Sequence, residues 1–275
     1  MNRKWKIIFL IGFLLCCFPI IHSIVSQRRQ QDAVATYQKA VMEEENSKLK
    51  EMWKNAEQYN EMLYQTEGAV VDHSDMTMLS DKSYQSQLNL SQTGIMGSLD
   101  IPKINVELPI YHGTEDEVLS DGIGHLQGTS LPVGGANTHC ALTGHRGLPS
   151  AKLLVRLDEM KLGDLFFIRI GKETLAYKVD EVQTVTPEEV SKLEIQPEKD
   201  LVSLITCTPY GINSHRLIVT GRRVAYEKFI HEEIQQAIPS FREIAITALP
   251  FVLLLIAIGF YLHDRRHQDY ENEKI

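Results

Sequence analysis

Cys207 stands at the end of an apolar stretch, Leu201 to Thr206, that is predicted to be a strand, and Pro209 and Gly211 then turn the chain. A thiol at the end of a strand is fixed by the rigid strand that precedes it and is exposed at the edge of the sheet, which suits a nucleophile. The alternative is a small buried hydrophobic residue, which is the ordinary state of a free cysteine. The sequence therefore predicts Cys207 as a candidate nucleophile for acyl transfer and leaves the structural alternative open.

His145 is the candidate base for this thiol. A thiol attacks as the thiolate, so a base or an imidazolium is needed beside it. His145 follows the predicted strand Cys140 to Thr143 and has Gly144 before it, so its ring can stand clear of local crowding. Other histidines compete for this role, and spacing alone does not choose among them: His112, His125, His139 and His215.

Arg216 is the candidate positive group. It begins the β-prone run that follows the turn after Cys207. If that run pairs as a hairpin with Leu201 to Thr206, the Arg216 guanidinium comes close to the thiol. There it can stabilise an oxyanion or hold the backbone of a substrate. An ordinary surface arginine is the alternative, and it is the interpretation we give to Arg222 and Arg223.

Other classes of site have little support in the sequence. It contains no Cys-x-x-Cys, His-Glu-x-x-His or calcium-loop pattern, and no glycine-rich phosphate loop follows a predicted strand. The spacing of His112, His125 and His139 is irregular for a metal site, so we expect neither a metal nor a cofactor. The formal net charge of −8 comes without a basic stripe, which argues against a nucleic-acid partner.

The segments that must position these residues are mostly β after Gly94. Turn signals such as Gly134-Gly135 and Gly163-Asp164 separate short β-prone runs, which is typical of a closed barrel or a sandwich. Before them, residues 27–65 lack Gly and Pro and repeat apolar residues at helical spacing, so one or two amphipathic helices are expected. Residues 68–93 show no dominant periodicity and are interpreted as an irregular lid, binding loop or linker.

Two apolar runs lie near the ends of the chain. Ile7 to Val25 is about 19 residues long, enough to cross a bilayer as a helix, and it follows three basic residues at positions 3, 4 and 6. We interpret it as an uncleaved anchor, with a cleaved signal as the alternative. Ile244 to Leu262 is a second candidate span, followed by Arg265 and Arg266. The positive-inside rule then predicts two cytoplasmic termini and an extracytoplasmic region between the spans.

The chain has 4 cysteines, of which Cys140 and Cys207 lie in the expected extracytoplasmic region. A disulfide between them is one possibility. Exported domains that depend on disulfides usually carry more pairs. We therefore expect Cys140 to be a silent core residue.

Three stretches together resemble the sortase family. They are LITCTPYG around Cys207, which matches most of a Thr-Leu-x-Thr-Cys motif, TGHRGLP around His145, and NSHRLIVTGRR around Arg216. A preceding segment, GSLDIPKINVELPIYHGT, is similar to the family's first strands, and the resemblance covers roughly residues 94–225. It implies a mostly β fold, an eight-stranded β-barrel of sortase type with short helices. It also implies that Cys207, His145 and Arg216 act as nucleophile, general acid/base and oxyanion or substrate stabiliser.

The resemblance further implies a function. Sortases are cysteine transpeptidases that cleave a Leu-Pro-x-Thr-Gly-like sorting signal between Thr and Gly. The C-terminal apolar run and the long N-terminal extension are similar to class C sortases, which transfer a pilin to a lysine amine of the next pilin. The alternatives are a sortase that attaches surface proteins to the cell-wall precursor and a non-catalytic, membrane-tethered binding module. Location in the cell membrane of a Gram-positive bacterium follows from the same resemblance.

One feature of class C is missing. That class usually carries an Asp-Pro-aromatic lid motif, whereas Asp72 to Met78 here reads DHSDMTM, so the lid is divergent or absent, with Asp75 and Met76 as its candidate residues. The expected division of the chain is 1–26 anchor or signal, 27–93 helical extension and possible lid segment, 94–228 catalytic barrel, 229–243 linker, 244–262 transmembrane helix and 263–275 cytoplasmic tail.

Overall fold

The computed structural model describes residues 3–66, 82–90, 93–146, 153–235, 238 and 241–272. The chain forms two compact units. One unit comprises Met1–Val25 and Ile238–Ile275, and the other comprises Ser26–Ala237. The second unit contains every strand found in the described residues, together with the candidate catalytic residues Cys207, His145 and Arg216.

The strands of this unit form a closed barrel in the order β1-β2-β3-β4-β7-β8-β6-β5. Two neighbouring pairs, β2–β3 and β4–β7, are parallel, and the others are antiparallel. The expected eight-stranded closed β-barrel is therefore confirmed. The strands are β1 (Ile95–Ile101), β2 (Val106–His112), β3 (Ile123–His125), β4 (Thr138–Thr143), β5 (Leu165–Ile170), β6 (Glu173–Val185), β7 (Asp200–Thr208) and β8 (His215–Val224).

The helices lie before, between and after the strands. They are α1 (Arg3–Glu43), α2 (Asn46–Gln65), α3 (Lys82–Ser86), α4 (Asp116–Asp121), α5 (Lys228–Glu233) and α6 (Phe241–Asn272). Short 3₁₀ turns cover Pro102–Ile104, Leu157–Glu159 and Val190–Leu193. Residues 27–65, where one or two amphipathic helices were expected, form the second half of α1 and α2.

The inner face of the barrel is filled by one apolar cluster to which nearly every strand contributes. The rings of Phe166 and Tyr177 stack with their centroids 5.6 Å apart. Gly221 makes this packing possible, because a Cβ atom there would lie 2.5 Å from the Phe166 ring. A side chain at this point of β8 would displace the ring from the core.

Two buried polar side chains attach the N-terminal helices to the barrel. The Tyr37 hydroxyl donates to the Met96 carbonyl and accepts from the Gly171 N–H, both at 2.9 Å. Burial raises the pKa of Tyr37 to about 12. From α2, the Asn60 amide donates to the carbonyl of Leu131 at 3.1 Å and accepts from its N–H at 2.7 Å. Each side chain satisfies backbone groups that the barrel leaves unpaired.

Part of the segment predicted to be irregular is ordered. Residues 82–90 contain α3, and both Tyr84 and Leu88 are fully buried in the main apolar cluster. Two apolar residues four positions apart give too short a pattern to be recognised as helical in a polar stretch. The prediction of an irregular segment is therefore wrong for residues 82–86.

One helix of the described residues, α1, contains a stretch that is long and apolar enough to cross a membrane, with a mean hydropathy of 2.5. Its side chains in this stretch are exposed in the monomer, as in Leu15 and Phe18. The second candidate span lies within α6, whose apolar part, Thr247–His263, is shorter than the length required of a span. The N-terminal helix therefore carries the stronger evidence for a membrane anchor.

Candidate active site

Three neighbouring strands bring the candidate catalytic residues to one end of the barrel. Strand β7 lies between β4 and β8. Cys207 pairs directly with Arg216 across the antiparallel β7–β8 ladder. Residues directly opposite each other in such a ladder project to the same face, so the thiol and the guanidinium share a face. The hairpin predicted from the sequence is confirmed.

His145 reaches the same end along β4. The parallel β4–β7 register ends with Thr143 opposite Ile205, and the Gly144 N–H then donates to the Ile205 carbonyl at 3.0 Å. The Thr206 hydroxyl donates back to the Gly144 carbonyl at 2.7 Å. His145 therefore leaves β4 level with the end of β7 that carries Cys207.

Gly144 allows the close approach that this arrangement needs. A Cβ atom at this position would lie 2.7 Å from the Ile123 side chain and 3.1 Å from that of Leu154. The His145 carbonyl accepts a hydrogen bond from the Leu154 N–H at 3.2 Å. The backbone on both sides of the half-buried His145 is thus fixed by contacts with neighbouring segments.

Cys207 lies on the outer face of the barrel. Val202 and Leu204 belong to the inner cluster, so the alternate positions of β7 point outward. On that outer face Ile205 packs with four other buried residues, Ala141, Val185, Leu193 and Ile218. The partly buried Leu126 packs against this cluster. An apolar patch therefore lies next to the thiol, with β4, β7 and β8 as its floor.

The loop between β6 and β7 covers one side of this patch and is attached to the barrel. Its Leu193 belongs to the patch, and the Glu194 carbonyl lies 2.9 Å from His139 Nδ1. His139 Nε2 is 2.8 Å from the Ser203 hydroxyl, which lies 2.8 Å from the Thr220 hydroxyl. Ser203 occupies the first position of the Thr-Leu-x-Thr-Cys motif. In this chain that hydroxyl links three strands beneath the patch.

Three of the competing histidines differ from His145 in that they are buried and hydrogen-bonded within the barrel. His112, His125 and His139 are buried, and both ring nitrogens of each are within hydrogen-bonding distance of protein groups. Burial lowers the pKa of all three, that of His125 to about 4. They are structural residues of the barrel. Among the residues that the structure describes, no three His, Cys, Asp or Glu side chains form a group able to hold a metal ion.

Arg216 is half-buried and is supported by its own turn. One terminal nitrogen donates to the carbonyls of Asn213, at 3.3 Å, and His215, at 3.2 Å. No ion pair to Arg216 is found within the described ranges, so the contacts leave its charge uncompensated by a neighbouring carboxylate. A positive charge of this kind can bind an oxyanion or a backbone carbonyl.

The sequence also made predictions about a second cysteine, Cys140, and about two lid candidates. Cys140 is a free, buried thiol in the main cluster, and Cys207 is also free. The expected core role of Cys140 agrees with this position, and no disulfide joins the two. Asp75 and Met76, the lid candidates, lie outside the described residues.

Comparisons with known proteins point to one family. The family model described as a sortase domain matches residues 99–224. Sortase D of Bacillus subtilis is 33% identical over 131 residues, which is 46% of this chain and 63% of that protein. The alignment thus spans less than two thirds of this relative's length.

Solved structures give a longer match. The crystal structure of sortase C1 from Streptococcus agalactiae superposes with a TM-score of 0.66 at 42% identity, covering 71% of this chain and 100% of that one. Sortase C from Streptococcus pneumoniae, whose structure is described in relation to catalysis and pilin substrate specificity, gives a TM-score of 0.62 at 37% identity. That match covers 71% of this chain and 97% of the pneumococcal one.

Proposed function

Since this chain belongs to the sortase family of cysteine transpeptidases, we propose that it assembles pili by joining pilin subunits at Leu-Pro-x-Thr-Gly-like sorting signals. The proposal has two parts. One is the role of Cys207, His145 and Arg216 in the chemistry, and the other is the identity of the substrate and of the acceptor amine. Each part has its own test.

In the first half of the reaction, the Cys207 sulfur attacks the carbonyl carbon of the signal's Thr. A C–S bond forms, and the Thr–Gly amide bond breaks. His145 gives a proton to the departing Gly nitrogen, and the Arg216 guanidinium stabilises the negative oxygen of the tetrahedral intermediate. The product is a thioester between Cys207 and the pilin.

In the second half, a lysine amine of the next pilin attacks the thioester carbonyl. His145 takes the proton from that nitrogen, the C–S bond breaks, and an isopeptide bond joins the subunits. Transfer competes with hydrolysis, so the signal must bind where water is scarce. The signal's Leu and Pro side chains, both apolar, would pack near Cys207 against the edge of the outer apolar patch, whose own residues are largely buried.

The observation that carries the catalytic part is the pairing of Cys207 with Arg216, with His145 leaving the adjacent parallel strand at the same level. Three residue types that acyl transfer needs therefore lie on three neighbouring strands, next to an apolar surface. A barrel that served only as a binding module would have no need of a free thiol at this position.

Replacement of Cys207 tests the catalytic part. We expect the full chain in detergent, incubated with a Leu-Pro-x-Thr-Gly peptide, to form a thioester adduct detectable by mass spectrometry. Cys207→Ala should form none, whereas Cys140→Ala, which removes the buried thiol, should still form it. Peptide cleavage by the Cys207→Ala variant would show that another residue is the nucleophile and would refute the assignment.

The acceptor amine is tested separately. The likeness to sortases C favours a pilin lysine. Transfer to a cell-wall precursor, the alternative that the sequence resemblance leaves open, is the second candidate. Mixing the full chain with pilin subunits should give covalent ladders on a denaturing gel. Transfer only to a wall-precursor amine would replace pilus assembly by surface-protein anchoring.

The same proposal fixes the location of the enzyme. In this proposal the N-terminal apolar helix and the second apolar run, residues 244–262, both cross the membrane of a Gram-positive bacterium, so residues from about 27 to 240 face outward and both termini are cytoplasmic. Protease added to protoplasts should then digest the catalytic barrel and spare a tag placed after Ile275. Loss of the tag would place the C-terminus outside.

A further inference from the structure

Arg146, the residue after the candidate base, is a buried guanidinium held by three separate groups. Its side chain is 7% exposed. One terminal nitrogen donates to the Thr208 hydroxyl at 2.9 Å, and Nε donates to the Val155 carbonyl at 3.3 Å. The other terminal nitrogen forms an ion pair with Asp158. Each nitrogen of the guanidinium therefore has a protein partner.

Arg146 and Thr208 are each adjacent in sequence to a candidate catalytic residue. Thr208 follows Cys207, just as Arg146 follows His145, so one hydrogen bond joins the residues next to the candidate nucleophile and base. The β4–β7 register ends at Thr143 and Ile205, before either catalytic residue is reached. The Arg146–Thr208 hydrogen bond thus joins the ends of the β4 and β7 segments beyond the last paired residues of the ladder.

An arginine is well suited to this task. Its planar fork presents donors in fixed directions, so three acceptors set the relative positions of the segments that carry them. Asp158, half-exposed, supplies the compensating charge that a buried guanidinium requires. A lysine ammonium has the same charge but lacks the fork, and it cannot reach three acceptors in one plane.

We propose that Arg146 and Thr208 are positioning residues that fix the separation of the His145 imidazole and the Cys207 thiol. The proposal rests on the catalytic roles given above to these two residues. Each guanidinium nitrogen of Arg146 is bonded to a protein group, one of them to the Thr208 hydroxyl, so we assign neither residue a contact with the substrate. The role differs from the one proposed for Arg216, which is to stabilise the negative oxygen of the tetrahedral intermediate.

The proposal predicts a change in rate rather than in substrate affinity. Proton transfer requires the two reacting atoms within hydrogen-bonding reach, and a displacement of about 1 Å can cost about 100-fold in rate. The apolar patch at whose edge the signal would pack is built from other residues, so KM should stay close to its original value. The same displacement should alter how His145 affects the thiolate, and hence the pH dependence of thiol alkylation.

The test compares Thr208→Val with Thr208→Ser in the full chain in detergent. Valine has nearly the shape of threonine but cannot accept the hydrogen bond, and serine restores the hydroxyl. We expect Thr208→Val to lower kcat for the peptide by about 10- to 100-fold at unchanged KM, and to shift the pH profile of Cys207 alkylation. Thr208→Ser should restore both, and Arg146→Lys should resemble Thr208→Val.

Arg156→Lys is the matched control. Arg156 is another buried arginine of the same segment, and its fork binds both carboxylate oxygens of Glu159 at 2.7 Å. This variant should keep the kcat and the alkylation profile of the wild type, even if its melting temperature falls as much as that of Arg146→Lys.

Identical kcat values and alkylation profiles for Thr208→Val and Thr208→Ser would overturn the proposal. That outcome would leave the proposed function intact as long as the wild type forms the Cys207 thioester. If the wild type forms no thioester, the proposed function fails. The alkylation profiles need no substrate, so they still report whether Arg146 and Thr208 position the thiol.

Discussion

The buried His125 allows a quantitative prediction about acid stability. Its ring has no exposed surface, Nε2 lies 3.0 Å from the Ser130 carbonyl, and Nδ1 lies 2.8 Å from the Tyr84 hydroxyl. A carbonyl can only accept, so Nε2 carries the proton of a neutral ring and Nδ1 accepts from Tyr84. The neutral ring is fully bonded, and burial, with a smaller effect from nearby His112, lowers the pKa of His125 to about 4.

The magnitude follows from this pKa. In the unfolded chain the ring binds a proton as the pH falls through 6.5, whereas in the folded chain it stays neutral until about pH 4. Between these values the unfolded state binds more protons, so the free energy of unfolding falls as the pH falls. At pH 4.5 the loss attributable to His125 alone is about 2–3 kcal/mol.

The assay combines a site-specific and a global measurement on the full chain in detergent. The Cε1–H resonance of His125 should titrate with a midpoint near 4. Urea unfolding, followed at pH 7 and at pH 4.5, should show a smaller acid-induced loss for His125→Gln than for the wild type, by about 2–3 kcal/mol. Glutamine keeps an N–H for the Ser130 carbonyl but does not titrate.

His215→Gln provides the control, because the His215 side chain is exposed and its ring nitrogen Nδ1 lies 2.9 Å from the neighbouring Ser214 hydroxyl. It should lose as much stability in acid as the wild type. Some loss should persist in His125→Gln, since burial also lowers the pKa of His112 and His139. A His125 midpoint near 6.5, or equal losses in the wild type and in His125→Gln, would refute the reasoning.

Two further predictions concern the fold and the site. Asn60→Ala leaves the buried N–H and carbonyl of Leu131 without their side-chain partner and should lower the free energy of unfolding by about 2–4 kcal/mol. Urea unfolding measures this loss, with Asn55→Ala as the exposed control. A loss below about 0.5 kcal/mol would contradict the prediction. His145→Ala should lower kcat for peptide cleavage by about 10²- to 10⁴-fold, while His215→Ala should leave it nearly unchanged; the reverse order in a steady-state assay would make His215 the base.

The β framework was largely predictable because each strand carries a local signal. The predicted runs Cys140 to Thr143 and Leu201 to Thr206 match β4 and β7 to within two residues, since apolar stretches between turn residues indicate strands directly. By contrast, β3, Ile123–His125, is too short to show a period. Its place between β2 and β4 is set by pairing with both neighbours.

The docking of residues 82–90 was not predictable for a different reason. Tyr84 accepts a hydrogen bond from the Gly113 N–H at 3.0 Å and contacts His125, so its partners are 29 and 41 positions away. A single tyrosine in a polar stretch gives no sign of such partners. The same holds for His139, whose link to the Glu194 carbonyl spans 55 positions.

The sequence by itself identified the candidate catalytic residues. A cysteine at the end of an apolar strand, an arginine at the start of the next strand and a histidine after a third are local patterns, and the family resemblance rests on them. The hairpin between β7 and β8 was also predictable from the sequence, because a short turn joins the two strands.

Only the tertiary structure decided how these residues meet. Closure of the barrel places β4 in parallel beside β7, although their paired residues are about 60 positions apart, and a parallel pair leaves no turn signal to reveal it. It also decides that Cys207 faces outward, beside the apolar patch, while Cys140 faces the core. Arg146 and Thr208 meet across 62 positions for the same reason, since such a contact depends on the closed barrel and on no local pattern.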